Sequence, residues 1–394
     1  MILVCGLLVV SCSSTRAPVT QAPTRHVVAP GRASQSTTTT TTAAAPDAAP
    51  SPIPMPPAPT VVFSVSFVSP TQGWAIAQQP CGQAPQSCVS VYETFDRGLH
   101  WQERGAPAAG GPNEAGATDN YVSQIRFANA LDGYAFNRSL WITRDGGATW
   151  TPDPVPGRSS WATDVEAADG VAYLVTAPCG DGAGDCEGPD TVYAAPAGST
   201  SWRAIGHFAF GSQGAQVVVA GHNVYAMLSG PGGDLLAGSE AGLSARPLPS
   251  SCRYPGIPVT VAAWAPGGLV LVCGMAVSSN SATPVVSVTL FRSEDNGWDW
   301  TLVSRNPPGR PGESLAALSS RVLLMAVPGP GTNGAGLWRS SDGGTTWTGV
   351  PGAPASPDYV GFETSSEGVL IGGNGLYLTD DGGLSWIPAR GLPG

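Results

Sequence analysis

The chain has 394 residues, a formal net charge of −10 and only 12% charged side chains, about half the usual ~25%. All 18 basic residues are arginine, and nothing in their placement forms the basic stripe of a nucleic-acid binder, so that class is set aside. Gly (52) and Pro (38) are abundant enough to predict many turns and few long helices.

The N-terminus reads as a targeting segment, residues 1–12. Ile2 to Val10 is an apolar run too short to span a bilayer core of ~30 Å as a helix. Val9-Val10-Ser11-Cys12 has the form of a bacterial lipobox, which makes Cys12 the expected acylation site, although no basic residue precedes the run. An exported lipoprotein on the outer face of the cytoplasmic membrane is expected, with simple secretion as the alternative. Residues 13–60 are Pro, Ala, Thr and Ser, with six threonines from Thr37 to Thr42 and no hydrophobic period. This is the composition of a disordered linker.

Six cysteines follow the linker: Cys81, Cys88, Cys179, Cys186, Cys252 and Cys273. An even number in an exported chain predicts disulfides. The expected pairs are 81–88 and 179–186, with 252–273 as the remainder. The four histidines are scattered and the cysteine spacings are not those of a zinc site, so neither a metal nor another cofactor is expected.

From Val61 to Gly394 short β-rich runs alternate with Gly/Pro turns, and one motif repeats. Thr94–Trp101, Thr143–Trp150, Ser293–Trp300, Ser340–Trp347 and Thr379–Trp386 all fit Ser/Thr-x-Asp-x-Gly-x-x-Trp. A sixth copy ending at Trp202 has lost its aspartate. Within each run of neighbouring copies, Asp96, Asp145 and then Asp295, Asp342, Asp381 recur at roughly 40–50 residues, the length of one four-stranded blade. The wider gap from Asp145 to Asp295 has room for two worn repeats, at Trp202 and at Leu235–Pro247. The expected fold is an all-β, seven-bladed β-propeller over residues 61–394, with six or eight blades as alternatives. Closure is expected from Val61–Ser69 pairing with the last blade, since an open ring leaves a strand edge bare.

The repeated aspartate looks like chemistry, but its physics is that of a turn. Its carboxylate caps amides one turn onward, the glycine takes a positive φ, and the tryptophan buries a large ring between blades. Asp96, Asp145, Asp295, Asp342 and Asp381, with Trp101, Trp150, Trp202, Trp300, Trp347 and Trp386, are therefore read as structural.

These boxes, with the strand pairs Phe67–Ala75 and Phe127–Ala135 (phenylalanine, turn, Gly-Trp/Tyr-Ala), resemble the BNR/Asp-box repeat propellers. The closest resemblance is to the photosystem II stability and assembly factor-like group, and more distantly to sialidases and sortilin-type receptors. It implies an exported binding propeller without chemistry of its own.

Strand parity puts the 1–2 turns and Asp-box turns on one face, and the 2–3 loops and inter-blade connections on the other. The second set is long and carries the cysteines, so it is expected to be the working face. The candidates there are Tyr121, Arg138, Arg158, Trp161, Asp181, Asp185, Arg253, Tyr254, Arg305, Arg310 and Tyr359.

The function expected is a non-catalytic, membrane-tethered scaffold, monomeric, binding a protein or an envelope glycan. The alternative is a sialidase-like glycoside hydrolase. It would need an arginine triad, for which Arg126, Arg253 and Arg321 are the available residues. Asp164 and Glu166 lie on one strand and face the same side, so they are neighbours rather than a pair opposed across a substrate.

Overall fold

The computed structural model describes residues 61–394 apart from 81–86, 112–119, 158–159, 180–185, 187, 210–214, 229–233, 254–258, 277–285, 311, 330–333, 374 and 390–394. Residues 1–60, on which the expected targeting segment, acylation site Cys12 and linker fall, lie outside the described residues. The chain forms seven four-stranded antiparallel sheets, spanning 61–104, 124–152, 161–207, 215–246, 259–305, 314–349 and 357–388. One 3-10 turn, Ser250–Cys252, is the only helical element among the described residues. The fold is the seven-bladed propeller expected, and the two worn repeats are blades 3 and 4.

Apolar residues sit on both faces of every blade because each blade is sandwiched between two others. Seven hydrophobic clusters result, one at each junction. Trp74, Ile125 and Phe127 join blades 1 and 2; Tyr134, Phe136 and Leu174 join blades 2 and 3. Burial on both faces is why the strands read as near-continuous apolar runs rather than alternating ones.

The Asp boxes act as turns. In each, the Ser/Thr hydroxyl donates to the aspartate and accepts the amide of the glycine four residues on, as in Thr143 to Asp145 (2.8 Å) and Gly147 to Thr143 (2.9 Å). The same carboxylate accepts the amide four residues beyond it: His100, Thr149, Asp299, Thr346 and Ser385, at 2.8–3.0 Å. Each box tryptophan packs in the junction with the preceding blade, Trp101 against blade 7 and Trp386 against blade 6. Blade 3 keeps Trp202, which donates to Asp153 at 2.9 Å. Blade 4 has a tight Ser239–Gly242 turn, and Leu243 occupies the junction with blade 3.

The box glycine is fixed by two constraints at once. Gly383 has φ +78°, and a Cβ there would lie 2.4 Å from Leu324 Cδ2. Gly170 has nearly the same φ, +79°, with no atom within 4 Å of its Cβ position. Gly383→Ala is expected to cost about 3 kcal/mol, and Gly170→Ala about 1 kcal/mol from backbone strain alone. Equal losses in urea unfolding would show that the inter-blade contact does not matter.

Ring closure differs from the sequence expectation. Val61–Phe67 pairs with Gly73–Pro80, and every blade is made of four consecutive strands. Among the described residues no strand pairing joins blades 7 and 1, which meet through Val62, Val65, Tyr92 and Trp101 against Tyr359, Ile371 and Leu378. Inner-strand edges are instead covered by side chains of the preceding blade. Ser64 Oγ bonds both the amide and the carbonyl of Ile125, and Ser66 accepts the amide of Phe127. Arg126 Nε donates to Val165 O, Asp164 accepts from Val217 N, and Gln216 donates to Val261 O. Thr260 accepts from Gly312 N, and Ser314 bonds both backbone groups of Val360. Each bond satisfies a buried backbone group that a strand exchange would otherwise have to pair.

Candidate functional site: the long-loop face and the ring axis

Antiparallel order within each blade places the 2–3 loops and blade connections at one end of the ring, as strand parity required. Two disulfides lie on this side. Cys179–Cys186 closes the 2–3 loop of blade 3, and Cys252–Cys273 ties the blade 4–5 connection to the second strand of blade 5. Cys88 is disulfide-bonded as well, while Cys81 lies outside the described residues.

Three of the candidates come together here. The Arg138 guanidinium lies over the rings of Tyr121 (4.9 Å) and Trp161 (4.2 Å). The three come from separate segments: the residue leading into blade 2, the 2–3 turn of blade 2, and the start of blade 3. The turn is bound to blade 3 by Ala162 N donating to Arg138 O at 3.0 Å. Asn137 and Arg138 hold φ of +124° and +56°, consecutive positive values that non-glycine residues seldom adopt. All three side chains are partly exposed, so the cluster is a rim feature with cation–π contacts rather than core.

The other candidates scatter. Arg253 Nε donates to Leu248 O and braces the turn holding Cys252. Arg310 is exposed in the blade 5–6 connection, where its amide donates to Glu313. Arg305 ends the outer strand of blade 5. Tyr359 was expected among the loops, but it lies on the inner strand of blade 7 and is only 5% exposed. Its place is the ring axis. Arg158, Asp181, Asp185 and Tyr254 lie outside the described residues.

The axis holds the charged groups that sequence reasoning undervalued. Arg126 of blade 2 pairs with Glu166 of blade 3 at 3.2 Å, both side chains about 95% buried. Asp164 sits on the same face of that strand as Glu166, as expected. Glu363 enters from the end of the blade 7 inner strand, and Tyr359 stands within electrostatic reach of all four. Burial pushes the Asp164 carboxyl up to about 7; Glu166 adds to the rise, and the Val217 amide and Arg126 oppose it. Burial likewise raises Glu363 to about 8, with Glu367 adding to it and Arg126 and Arg97 opposing. Tyr359 is held well above its ordinary value by burial.

The box aspartates behave oppositely. The Thr346 hydroxyl and amide hold Asp342 down at about 2. Slight burial pulls Asp381 upward, but bonds from Ser385 outweigh it and leave it at about 2 as well. These are capped turn carboxylates, ionised at neutral pH, in keeping with a structural role.

The arginine triad of a sialidase does not assemble. Among the described inner-strand residues Arg126 is the sole arginine. Arg253 lies at the long-loop end of the ring, and Arg321 lies in the blade 6 1–2 turn at the opposite end. Nor do three metal-ligating side chains group together anywhere among the described residues.

No family model matches the chain, and no curated protein matches it. Solved structures do. The structure described as YCF48 bound to a D1 peptide is 17% identical and covers 86% of this chain and 98% of its own, with a TM-score of 0.55. YCF48 from Cyanidioschyzon merolae has the same identity and coverage at a TM-score of 0.48. An ancestral GH74 enzyme is 14% identical and covers 84% of this chain and 45% of its own, with a TM-score of 0.50. The likeness to the photosystem II assembly factor-like propellers is thus present in three dimensions and extends around the whole ring. At these identities it shows the fold.

Proposed function

We propose that this chain is a non-catalytic binding or assembly propeller, exported and held at the membrane by a lipid on Cys12, that engages a protein partner through its long-loop face. The observation that carries the reading is the whole-ring match to a propeller solved with a peptide bound. The Tyr121–Arg138–Trp161 rim adds to it, since a cation fixed between two rings is the kind of preorganised, partly exposed group that anchors interfaces. The dispersed arginines argue against the glycosidase alternative. A partner is a protein segment in this reading, and an envelope glycan is the occupant that the same test separates from it.

The test is in-cell crosslinking of the anchored protein. Combined Arg138→Ala and Trp161→Ala should reduce partner capture at least fivefold, while Phe95→Ala and Leu384→Ala on the opposite face should leave it unchanged. The reverse pattern would move the working face to the Asp-box side. Crosslinks that resist protease and yield to glycan hydrolysis would make the partner a glycan. Turnover of a fluorogenic glycoside panel by the purified protein, abolished by Arg126→Met, would overturn the non-catalytic reading.

A further inference from the structure

Three neighbouring blades carry an apolar or aromatic side chain at one repeat position on the long-loop end of the ring. Counting back three residues from the polar member of the pairs Ser64-Val65, Gln124-Ile125 and Asp164-Val165 gives Val61, Tyr121 and Trp161. Register supports the alignment of blades 1 and 3. Val61 pairs with Gln78 and Ser64 with Ile76, just as Trp161 pairs with Ala177 and Asp164 with Val175, with the same one-residue bulge between. In all three blades the next residue, Val62, Val122 or Ala162, is buried. The position itself is not: Val61 is 39% exposed, and Tyr121 and Trp161 are partly exposed with Arg138 over both rings. The result is a strip across blades 1, 2 and 3, with successive positions about 10 Å apart, the spacing of packed sheets.

The strip begins where the linker arrives. Val61 is the first residue of the blade 1 inner strand, so residue 60 is one peptide bond from the strip's first position. Residues 53–60 read Ile-Pro-Met-Pro-Pro-Ala-Pro-Thr. Four prolines in eight residues favour polyproline II, which needs neither internal hydrogen bonds nor a core. At ~3.1 Å per residue the segment reaches about 25 Å, enough to pass Tyr121 and arrive at Trp161. Proline-rich segments dock on surfaces made of aromatic rings. Proline lacks an amide donor but keeps its carbonyl, and Arg138 brings a guanidinium that only donates to the middle of the strip. The segment carries no charge, so nothing in it repels Arg138.

We infer that residues 53–60 dock in cis on the strip of Val61, Tyr121 and Trp161, so that the chain covers part of its own working face until a partner displaces it. The inference rests on the rim being a binding surface, as proposed above. Tethering decides the energetics. A short tether holds its segment at an effective concentration of the order of 1 mM. A segment whose dissociation constant as a free peptide is only about 1 mM therefore covers the rim about half of the time. A partner then binds to the uncovered fraction alone, and its apparent affinity falls about twofold.

The full chain with the photo-crosslinking residue p-benzoylphenylalanine in place of Met55 tests it. Irradiation followed by peptide mapping should place most crosslinks on the segments holding Tyr121, Arg138 and Trp161, at a yield independent of protein concentration. The same probe in place of Thr40 should mark those segments at least fivefold less. Combined Pro54→Ser, Pro56→Ser and Pro57→Ser, all outside the blades, should lower the rim crosslinks at least threefold and raise partner capture about twofold. Crosslinks scattered over the ring, or rim crosslinks untouched by the proline substitutions, would overturn the inference. A yield that rises with protein concentration would do the same, since the occupant would then be a second copy. So would partner capture that falls with Arg138→Ala and Trp161→Ala yet ignores the proline substitutions. Rim crosslinks with partner capture indifferent to both sets would instead sink the long-loop face as the partner's site and leave cis docking standing.

Discussion

Trp74→Ala is expected to cost the propeller about 4–5 kcal/mol, the largest loss of any single truncation considered. The ring is fully buried between blades 1 and 2 and stacks on Phe127 with centroids 3.8 Å apart and planes 8° from parallel. Its Nε1 donates to Gly146 O at 3.0 Å, inside the Asp box of the next blade. Removing it loses the transfer of a large aromatic surface, leaves a cavity that Phe127 and Trp150 cannot close, and strands a buried carbonyl. Trp74→Phe keeps the stack but not the bond, so about 1–3 kcal/mol is expected. Phe95 is 55% exposed, and Phe95→Ala should change stability by less than about 0.5 kcal/mol. Urea unfolding followed by far-UV circular dichroism ranks the three. A Trp74→Ala loss no greater than that of Phe95→Ala would mean the junction between blades 1 and 2 repacks freely.

The same junction shows why the architecture was legible. Asp-box spacing reports blade length directly, because each box is a local turn whose partners lie within six residues. The Phe-turn-Gly signature is local too. Gly133 pairs across the hairpin with Phe127, and a Cβ there would lie 2.6 Å from the phenylalanine ring, so the aromatic lies flat over the missing side chain. Even the worn repeats left a trace, since Trp202 and Leu243 still fill their junctions.

Closure and the axis were not legible, because both depend on which strands meet across the ring. Strand parity correctly put Asp164 and Glu166 on one side of one strand, but it says nothing about Glu363 arriving from blade 7. Tyr359 misled for the same reason: two residues into a strand, it sits close to a loop in sequence and at the axis in space. A signal was present. Each inner strand places a polar residue immediately before a buried aliphatic one: Ser64-Val65, Gln124-Ile125, Asp164-Val165, Gln216-Val217, Thr260-Val261, Ser314-Leu315 and Tyr359-Val360. Aligned as one position, five of these residues, Ser64, Asp164, Gln216, Thr260 and Ser314, are the side chains that bond the backbone of the next blade, while in blade 2 that bond comes from Arg126, two residues beyond Gln124. Asp164 is the charged member of the set.

That placement predicts an unusual dependence of stability on pH. Asp164 and Glu313 are raised to about 7 and Glu363 to about 8, each with burial as the leading cause. Their unfolded values are ~3.9 for Asp and ~4.3 for Glu. Between about pH 4 and pH 8 the folded chain therefore holds protons that the unfolded chain has released, and stability falls as pH rises through that window. The favourable contribution is complete below about pH 4 and gone above about pH 8. Asp342 and Asp381, held at about 2, act in the other direction: their contribution is present above about pH 4 and is lost as pH falls through 2. The stability maximum should lie near pH 4–5, below the common range of ~5–8. Asp164→Asn keeps an oxygen to accept the Val217 amide and removes the ionisation. It should raise stability at pH 8 by about 2 kcal/mol, after discounting for the water that reaches the axis, and flatten the slope between pH 5 and pH 7. Thermal melts of wild type and Asp164→Asn from pH 3 to pH 9 decide it. A wild-type melting temperature that is level from pH 5 to pH 8, and a variant no more stable at pH 8, would mean that Asp164 is ionised at little cost and that the axis is wetter than its packing implies.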